Sequence, residues 1–236
     1  MINLVVATRN VHKVREIAEI IGSGFRCAAL ADFPNAPQLI EDGDTFSANA
    51  TRKAVQLAEW LARRRNSELE ARNPIYVLAD DSGLEVGVLN GAPGVHSARF
   101  AAGGGNASGN SADEDNNAEL LCVLKGVPAE RRAARFRCVL ALTPVHPTAK
   151  EPSSPVCYAN ELELLTELFE GVCEGRIALE PVGKGGFGYD PLFVPMGHEQ
   201  TFGELSEDIK NSLSHRAKAL SKLRERLSKA AQGGPA

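Results

Sequence analysis

The 236-residue chain lacks an excess of positive charge, a CxxC spacing, a long apolar stretch and a Walker A loop. Each absence closes a class of function. Lysine and arginine number 26 against 30 aspartates and glutamates, a formal net charge of −4. Such a chain has no global attraction for DNA or RNA, so a nucleic-acid partner is not expected. The one dense basic run, Arg63-Arg64-Arg65, reads as a solvated helix end, where cations complement the macrodipole. Cysteine is sparse and odd in number: Cys27, Cys122, Cys138, Cys157 and Cys173. That excludes a zinc knuckle or thioredoxin-type site and suggests reduced thiols in a cytoplasmic protein. No apolar stretch is long enough to cross a bilayer, so no membrane partner is expected. The opening Met1–Ala7 lacks the basic start and cleavage site of a signal peptide and reads as a strand. Internal repeats and a sharp linker are also missing.

What is present is ordinary globular material: 43% hydrophobic and 24% charged residues argue against whole-chain disorder. Residues 2–7 predict a buried strand. Val14, Ile17, Ala18 and Ile21 fall at helical spacing behind Asn10, a candidate N-cap. Residues 25–40 read as irregular. A second helix carries Phe46, Ala50, Ala54, Leu57, Ala58 and Leu61 on one face. Ile75–Ala79 predicts a strand, Asp80–Gly83 a turn at its end, and Leu84, Val86 and Val88 a further strand with one wet face. Further on come a flexible loop over 101–117, a helix over 117–125 and a strand over 136–142. A proline-rich excursion over 144–158, a short helix over 160–170 and a strand over 176–182 follow. The last helix shows a stripe of Leu213, Ala217, Leu220, Leu223 and Leu227. The alternation predicts an α/β fold around one mixed sheet, a single domain over 1–230 with a frayed tail at 231–236.

Four constellations could carry chemistry. Thr8, Asn10 and Lys13 surround a helix N-terminus, where free N–H groups, the dipole and a lysine favour anions; a polar surface turn is the plainer reading. Glu41, Asp42 and Asp44 precede one helix, and Asp80 and Asp81 follow an apolar run. Carboxylates so placed suit a hard cation such as Mg²⁺, and adjacent aspartates repel unless a cation or donors attend them. Gly183–Gly188 contains G-x-G-x-x-G, but Pro191 and Pro195 in the following run oppose the helix a dinucleotide fold needs. Its glycines could instead let backbone approach a ligand, with Phe187 or Tyr189 offering a ring to a base. Lys210, His215 and Arg216 gather cationic groups at the start of the last helix, off its leucine stripe, facing a cleft or solvent.

Five segments in order resemble the inosine triphosphate pyrophosphatase family: ATRNVHK at 7–13, EDGDTFSANATRKA at 41–54 and LADDSGLEVGVLNGAPGVHSARFA at 78–101, then GKGGFGYDPLFVP at 183–195 and ELSEDIKNSLSHRAKAL at 204–220. The resemblance implies an elongated two-lobed fold with a substrate cleft, a homodimer, and Mg²⁺-dependent hydrolysis of ITP, dITP and XTP to monophosphate and pyrophosphate. By the same likeness Thr8, Arg9, Asn10, Val11, His12 and Lys13 correspond to the triphosphate cradle and Lys53 to a second phosphate contact. Glu41 and Asp81 correspond to the metal ligands, Asp81 also to the acceptor of the water proton, and Ser82 to a substrate contact. Phe187, Gly188, Tyr189 and Asp190 correspond to the nucleoside segment, and Lys210, His215 and Arg216 to the readers of the purine edge. Donors there suit a 6-oxo group, which accepts where the adenine amino group donates. Arg9 stands where the family pattern has glycine, and His96 where it has an aromatic ring. The stretches 101–117 and 144–170 are longer than typical. Two other functions fit the same residues: hydrolysis of other modified nucleotides, and nucleotide sensing without catalysis.

Overall fold

Asn10 starts the first helix as its position predicts, its side-chain oxygen accepting from the backbone N–H groups of His12 and Lys13. Thr45 caps the second helix by accepting from Ala48 N–H. Local signals of this kind set the element boundaries in a computed structural model that describes residues 2–64, 75–103, 109–145 and 161–232. The order is β1 (Ile2–Val6), α1 (Val11–Ile21), β2 (Phe25–Ala29), α2 (Phe46–Ala62), β3 (Ile75–Val86) and α3 (Asp113–Val123). There follow β4 (Ala133–Pro144), α4 (Glu161–Leu164), β5 (Glu167–Ile177), β6 (Phe193–Pro195), α5 (Glu207–Leu213) and α6 (His215–Gln232).

The strands form one six-stranded sheet in the order β2-β1-β3-β4-β5-β6. It is mixed: β1 runs parallel to β2 and to β3, while β5 and β6 are antiparallel. Leu4 is opposite Cys27 on one side and Tyr76 on the other. The chain divides into two compact units. The first comprises Met1–Asp81, Val139–Phe169 and Leu220–Ala236, the second Ser82–Cys138 and Glu170–Ala219. Leu4, Val6, Ile17, Leu57, Leu78 and Leu140 are buried in the first unit. In the second, Leu84, Leu120, Phe136, Tyr189, Phe193 and Phe202 belong to one buried cluster. Among the described residues no helix is long and apolar enough to cross a membrane.

Several expectations are corrected. Asp80–Gly83 is no turn; β3 runs unbroken through it. The stretch 25–40 contains β2 and a 3₁₀ turn at Leu30–Asp32. The helix expected over 117–125 begins at Asp113, where three acidic residues occupy the first turn and complement the dipole. Of the expected loop at 101–117, residues 104–108 lie outside the described residues. The strand expected over 176–182 is β5, which starts at Glu167 and ends at Ile177, and the short helix expected at 160–170 is α4, confined to Glu161–Leu164. The single last helix is two, broken at Ser214, whose backbone is extended. The excursion at 144–158 falls almost wholly outside the described residues, as do 233–236 of the tail.

Candidate active site

The candidate residues form two clusters, one in each unit. In the first unit the adjacent aspartates of β3 are both buried, Asp80 at 1% and Asp81 at 7% exposure. Alternation along a strand points them to opposite faces, which separates two like charges. Each then meets its own lysine. Lys13 Nζ lies 2.5 Å from Asp80 Oδ1. Lys53 Nζ lies 3.5 Å from Asp81 Oδ1 and 3.3 Å from Glu41 Oε1, and donates to the Asp80 carbonyl at 2.8 Å. The sequence argument that these carboxylates need cations or donors is met by α1 and α2.

Asp81 keeps one unsatisfied atom: its Oδ2 is buried without a hydrogen-bond partner among the described residues. Burial pushes the Asp81 carboxyl above its ordinary range. Lys53 and then Lys13 pull it down, Glu41 pushes it up, and a hydrogen bond from Asn49 lowers it; desolvation wins. On the Asp81 side two carboxylates, Asp81 and Glu41, meet one ammonium group, Lys53, a formal balance of −1. An orphaned oxygen in a net-negative pocket fits a hard cation. Among the described residues no three of His, Cys, Asp and Glu gather as a cage. Mg²⁺ does not need one, since it is held by one or two carboxylates with waters and substrate phosphates.

The first turn is less open than expected. Thr8 Oγ1 accepts from Asn10 N–H at 3.1 Å, and Asn10 Oδ1 takes the His12 and Lys13 N–H groups at 2.9 and 3.2 Å. Those two amides are therefore spent on the cap. Arg9, Val11 and His12 are exposed. The Arg9 guanidinium reaches the Ala36 carbonyl at 3.4 Å. Asn90 is the one non-glycine described with positive φ, so Arg9 needs no glycine-like conformation.

In the second unit, α5 and α6 converge on the 187–190 turn. Lys210 Nζ is 2.7 Å from Asp190 Oδ2 and 4.9 Å from the centre of the Phe187 ring. The Arg216 guanidinium lies 5.8 Å from the same ring and donates to Ser82 Oγ at 3.0 Å. Phe187 is half-buried, a ring flanked by two cations and open enough to stack on a base. Tyr189 is not: its ring is core and its hydroxyl donates to the Ser97 carbonyl at 2.9 Å.

Three further expectations change here. His215 and Arg216 do not face solvent; they are 6% and 2% exposed, and His215 stacks on Phe136 at 4.8 Å. Lys210 sits in the last turn of α5, not at the start of the last helix, and there a cation complements the dipole. The glycines near 183–188 serve the fold. A side chain at Gly183 would strike the Gly203 backbone, and one at Gly186 would strike Asp190. His96, at the variant position, is exposed.

Sequence reading missed Asn49, Phe136, Asp113 and Asn117. Asn49 is 1% exposed and its Oδ1 accepts from Gly43 N–H at 2.7 Å, which ties down the turn after Glu41. Its signal was legible: Asn49 and Lys53 are four apart on the apolar face of α2, where polar residues are costly without a task.

The sequence model of the Ham1 family matches residues 4–226. A dITP/XTP pyrophosphatase of Desulforamulus reducens is 44% identical over 228 residues, spanning 96% of this chain and 96% of that protein. One of Geobacter sulfurreducens is 43% identical over 228 residues, spanning 96% and 97%. Among solved structures, a HAM1 protein from Coxiella burnetii aligns with a TM-score of 0.73 at 34% identity, covering 97% of this chain and 100% of that one. The Ham1 protein of Staphylococcus aureus aligns at 0.71 and 31%, covering 97% and 99%.

Proposed function

The chain belongs to the Ham1 family, and from that premise we propose that it is a Mg²⁺-dependent pyrophosphatase that converts ITP, dITP and XTP to monophosphate and pyrophosphate. The observation that carries this reading is the Asp81 carboxylate: buried, beside Glu41 and Lys53, with one oxygen lacking a partner. A nucleotide sensor has no use for so costly a group.

Glu41 and Asp81 would hold the ion, which when bound supplies charge neutralisation and an acidified water. Lys53, anchored on the Asp80 carbonyl, keeps an ammonium beside both carboxylates and offsets phosphate charge. Lys13 begins paired with Asp80 and can exchange that partner for a phosphate. Asp81 positions the attacking water and accepts its proton, the α-phosphorus is attacked, and pyrophosphate leaves. Thr8 and Asn10 shape the cradle, and the exposed Arg9, Val11 and His12 border it. Phe187 stacks on the base, with Gly188, Tyr189 and Asp190 forming its turn. Ser82, Lys210, His215 and Arg216 supply the polar groups that read a 6-oxo purine. Residues 1–230 act as one catalytic domain of two lobes, in a cytoplasmic homodimer.

The test is product analysis with Mg²⁺ and ITP, XTP, dITP, ATP or GTP supplied singly. Monophosphate and pyrophosphate from the deaminated purines, with ATP and GTP spared and turnover lost on chelation, are expected. Diphosphate and phosphate would place the cleavage at another bond and sink the assignment.

A further inference from the structure

The 187–190 turn is held from both sides by a helix that the proposed chemistry does not use. Asp113 Oδ2, in the first turn of α3, accepts from Gly188 N–H at 2.6 Å. One turn later on the same face, Asn117 Nδ2 donates to the Gly188 carbonyl at 2.9 Å. Inside the turn, Asp190 Oδ2 accepts from Phe187 N–H at 2.9 Å, and the Phe187 carbonyl accepts from Asp190 N–H at 3.3 Å. All four backbone polar groups of Phe187 and Gly188 are thus occupied. Both Gly188 backbone groups already have partners in the fold, and what the turn offers a base is the Phe187 ring.

Gly188 needs that grip. Its φ is +64°, and no atom lies within 4 Å of where a side chain would begin. A glycine in open space is confined by its hydrogen bonds alone. Asn117 in turn looks costly for stability. It is 8% exposed, and its Oδ1 is buried with no hydrogen-bond partner among the described residues. A buried, half-satisfied amide is worse for folding than an apolar side chain of its shape. Asp113 is equally dispensable for the helix dipole, because Glu114 and Asp115 share its turn. Two residues that stability does not require converge on one glycine beside the stacking ring.

We propose that Asp113 and Asn117 are positioning residues for base recognition: they clamp Gly188 so that the Phe187 ring is fixed before the purine arrives. The inference rests on the proposed purine nucleotide activity, and assigns α3 a part in it. Ordering the turn in advance removes that entropy cost from binding. Loss of the clamp therefore weakens affinity and leaves the chemical step at Asp81 untouched.

The test compares the wild-type protein with Asp113→Ala, Asp113→Asn and Asn117→Ala. Calorimetric binding of inosine monophosphate, kcat and KM for ITP, and Tm are measured on each. The alanine variants should raise both KM and the monophosphate Kd by about tenfold, with kcat within about twofold. Asn117→Ala should change Tm little, because loss of the Gly188 contact is offset by deletion of the orphaned oxygen. Asp113→Asn retains an acceptor for Gly188 N–H and should restore most of the affinity. Unchanged Kd, equal losses in both Asp113 variants, or kcat and Tm falling together would overturn the clamp. Wild-type protein that binds no inosine monophosphate would overturn it as well. Failure of ITP hydrolysis in the wild type would remove the proposed activity, while the monophosphate Kd series still decides the clamp.

Discussion

Lys53 and Lys210 are both buried lysines on helices, and both touch carboxylates, yet their surroundings differ. Lys53 meets two carboxylates and a backbone carbonyl, in a cluster whose formal balance is negative and whose Asp81 retains an orphaned oxygen. Lys210 meets Asp190 at hydrogen-bond distance and lies over an aromatic ring. On the proposed reading, one cluster holds charge in reserve for a cation and polyphosphate, while the other ties its charge to a turn and presents a flat face. On that reading the difference separates chemistry from selectivity, and it can be broken experimentally.

The largest effect belongs to Asp81→Asn. The exchange keeps the shape but removes the proposed proton acceptor and metal ligand. Turnover of ITP should fall by about 10³-fold or more, while inosine monophosphate still binds. Steady-state assays with a parallel binding titration check this, and full activity would remove Asp81 from the mechanism.

Next come the lysines themselves. Lys53→Met leaves the buried Asp81 beside Glu41 without the ammonium between them. Such an uncompensated charge costs about 3 kcal/mol, or roughly 6–12 °C in Tm for a chain of this size. Activity should fall with it. Lys210→Met strands one carboxylate, Asp190, which still accepts from Phe187 N–H. Its main signature should be a raised KM for ITP. Scanning calorimetry and kinetics on the pair distinguish the two roles; identical behaviour would erase the contrast.

How much of this was legible beforehand follows the same divide. The cap at Asn10, the second helix and the mixed sheet rest on local signals, periodicity and capping, which a sequence displays directly. The need for donors around Asp80 and Asp81 also followed from charge repulsion alone. What stayed hidden is long-range. β3 passes through Asp80–Gly83 even though its pairing with β1 ends at Leu78, and the four residues by themselves look like a turn. His215 and Arg216 stand off a leucine stripe and yet are buried, because Phe136 and the 187–190 turn cover them. Asn117 lies 71 positions from the glycine it holds, and no periodicity reports such a distance.

A smaller effect separates the cysteines. Cys173 lies in the apolar cluster of the second unit, and burial pushes its thiol up to about 11. At pH 8 only ~0.1% of it is thiolate, so it should resist alkylation. Cys122 is exposed on α3. Peptide-resolved mass spectrometry after brief N-ethylmaleimide treatment should find Cys122 modified well before Cys173. Early labelling of Cys173 would mean that the second unit opens far more readily than its packing implies.

The smallest expected effect is at Arg9, where the family pattern has glycine. Were arginine strained there, Arg9→Gly would stabilise the protein. Its backbone is outside the left-handed region, so there is no strain to relieve. Glycine would instead widen the unfolded ensemble and give up the contact to the Ala36 carbonyl. The expected cost is about 0.5–1 kcal/mol, a Tm decrease of roughly 1–4 °C. The exposed guanidinium carries no part of the Asp81 chemistry, so kcat should hold. A rise in Tm would show that the first turn needs the glycine, and would make the charged cluster, not the aromatic one, the place where this chain departs from its relatives.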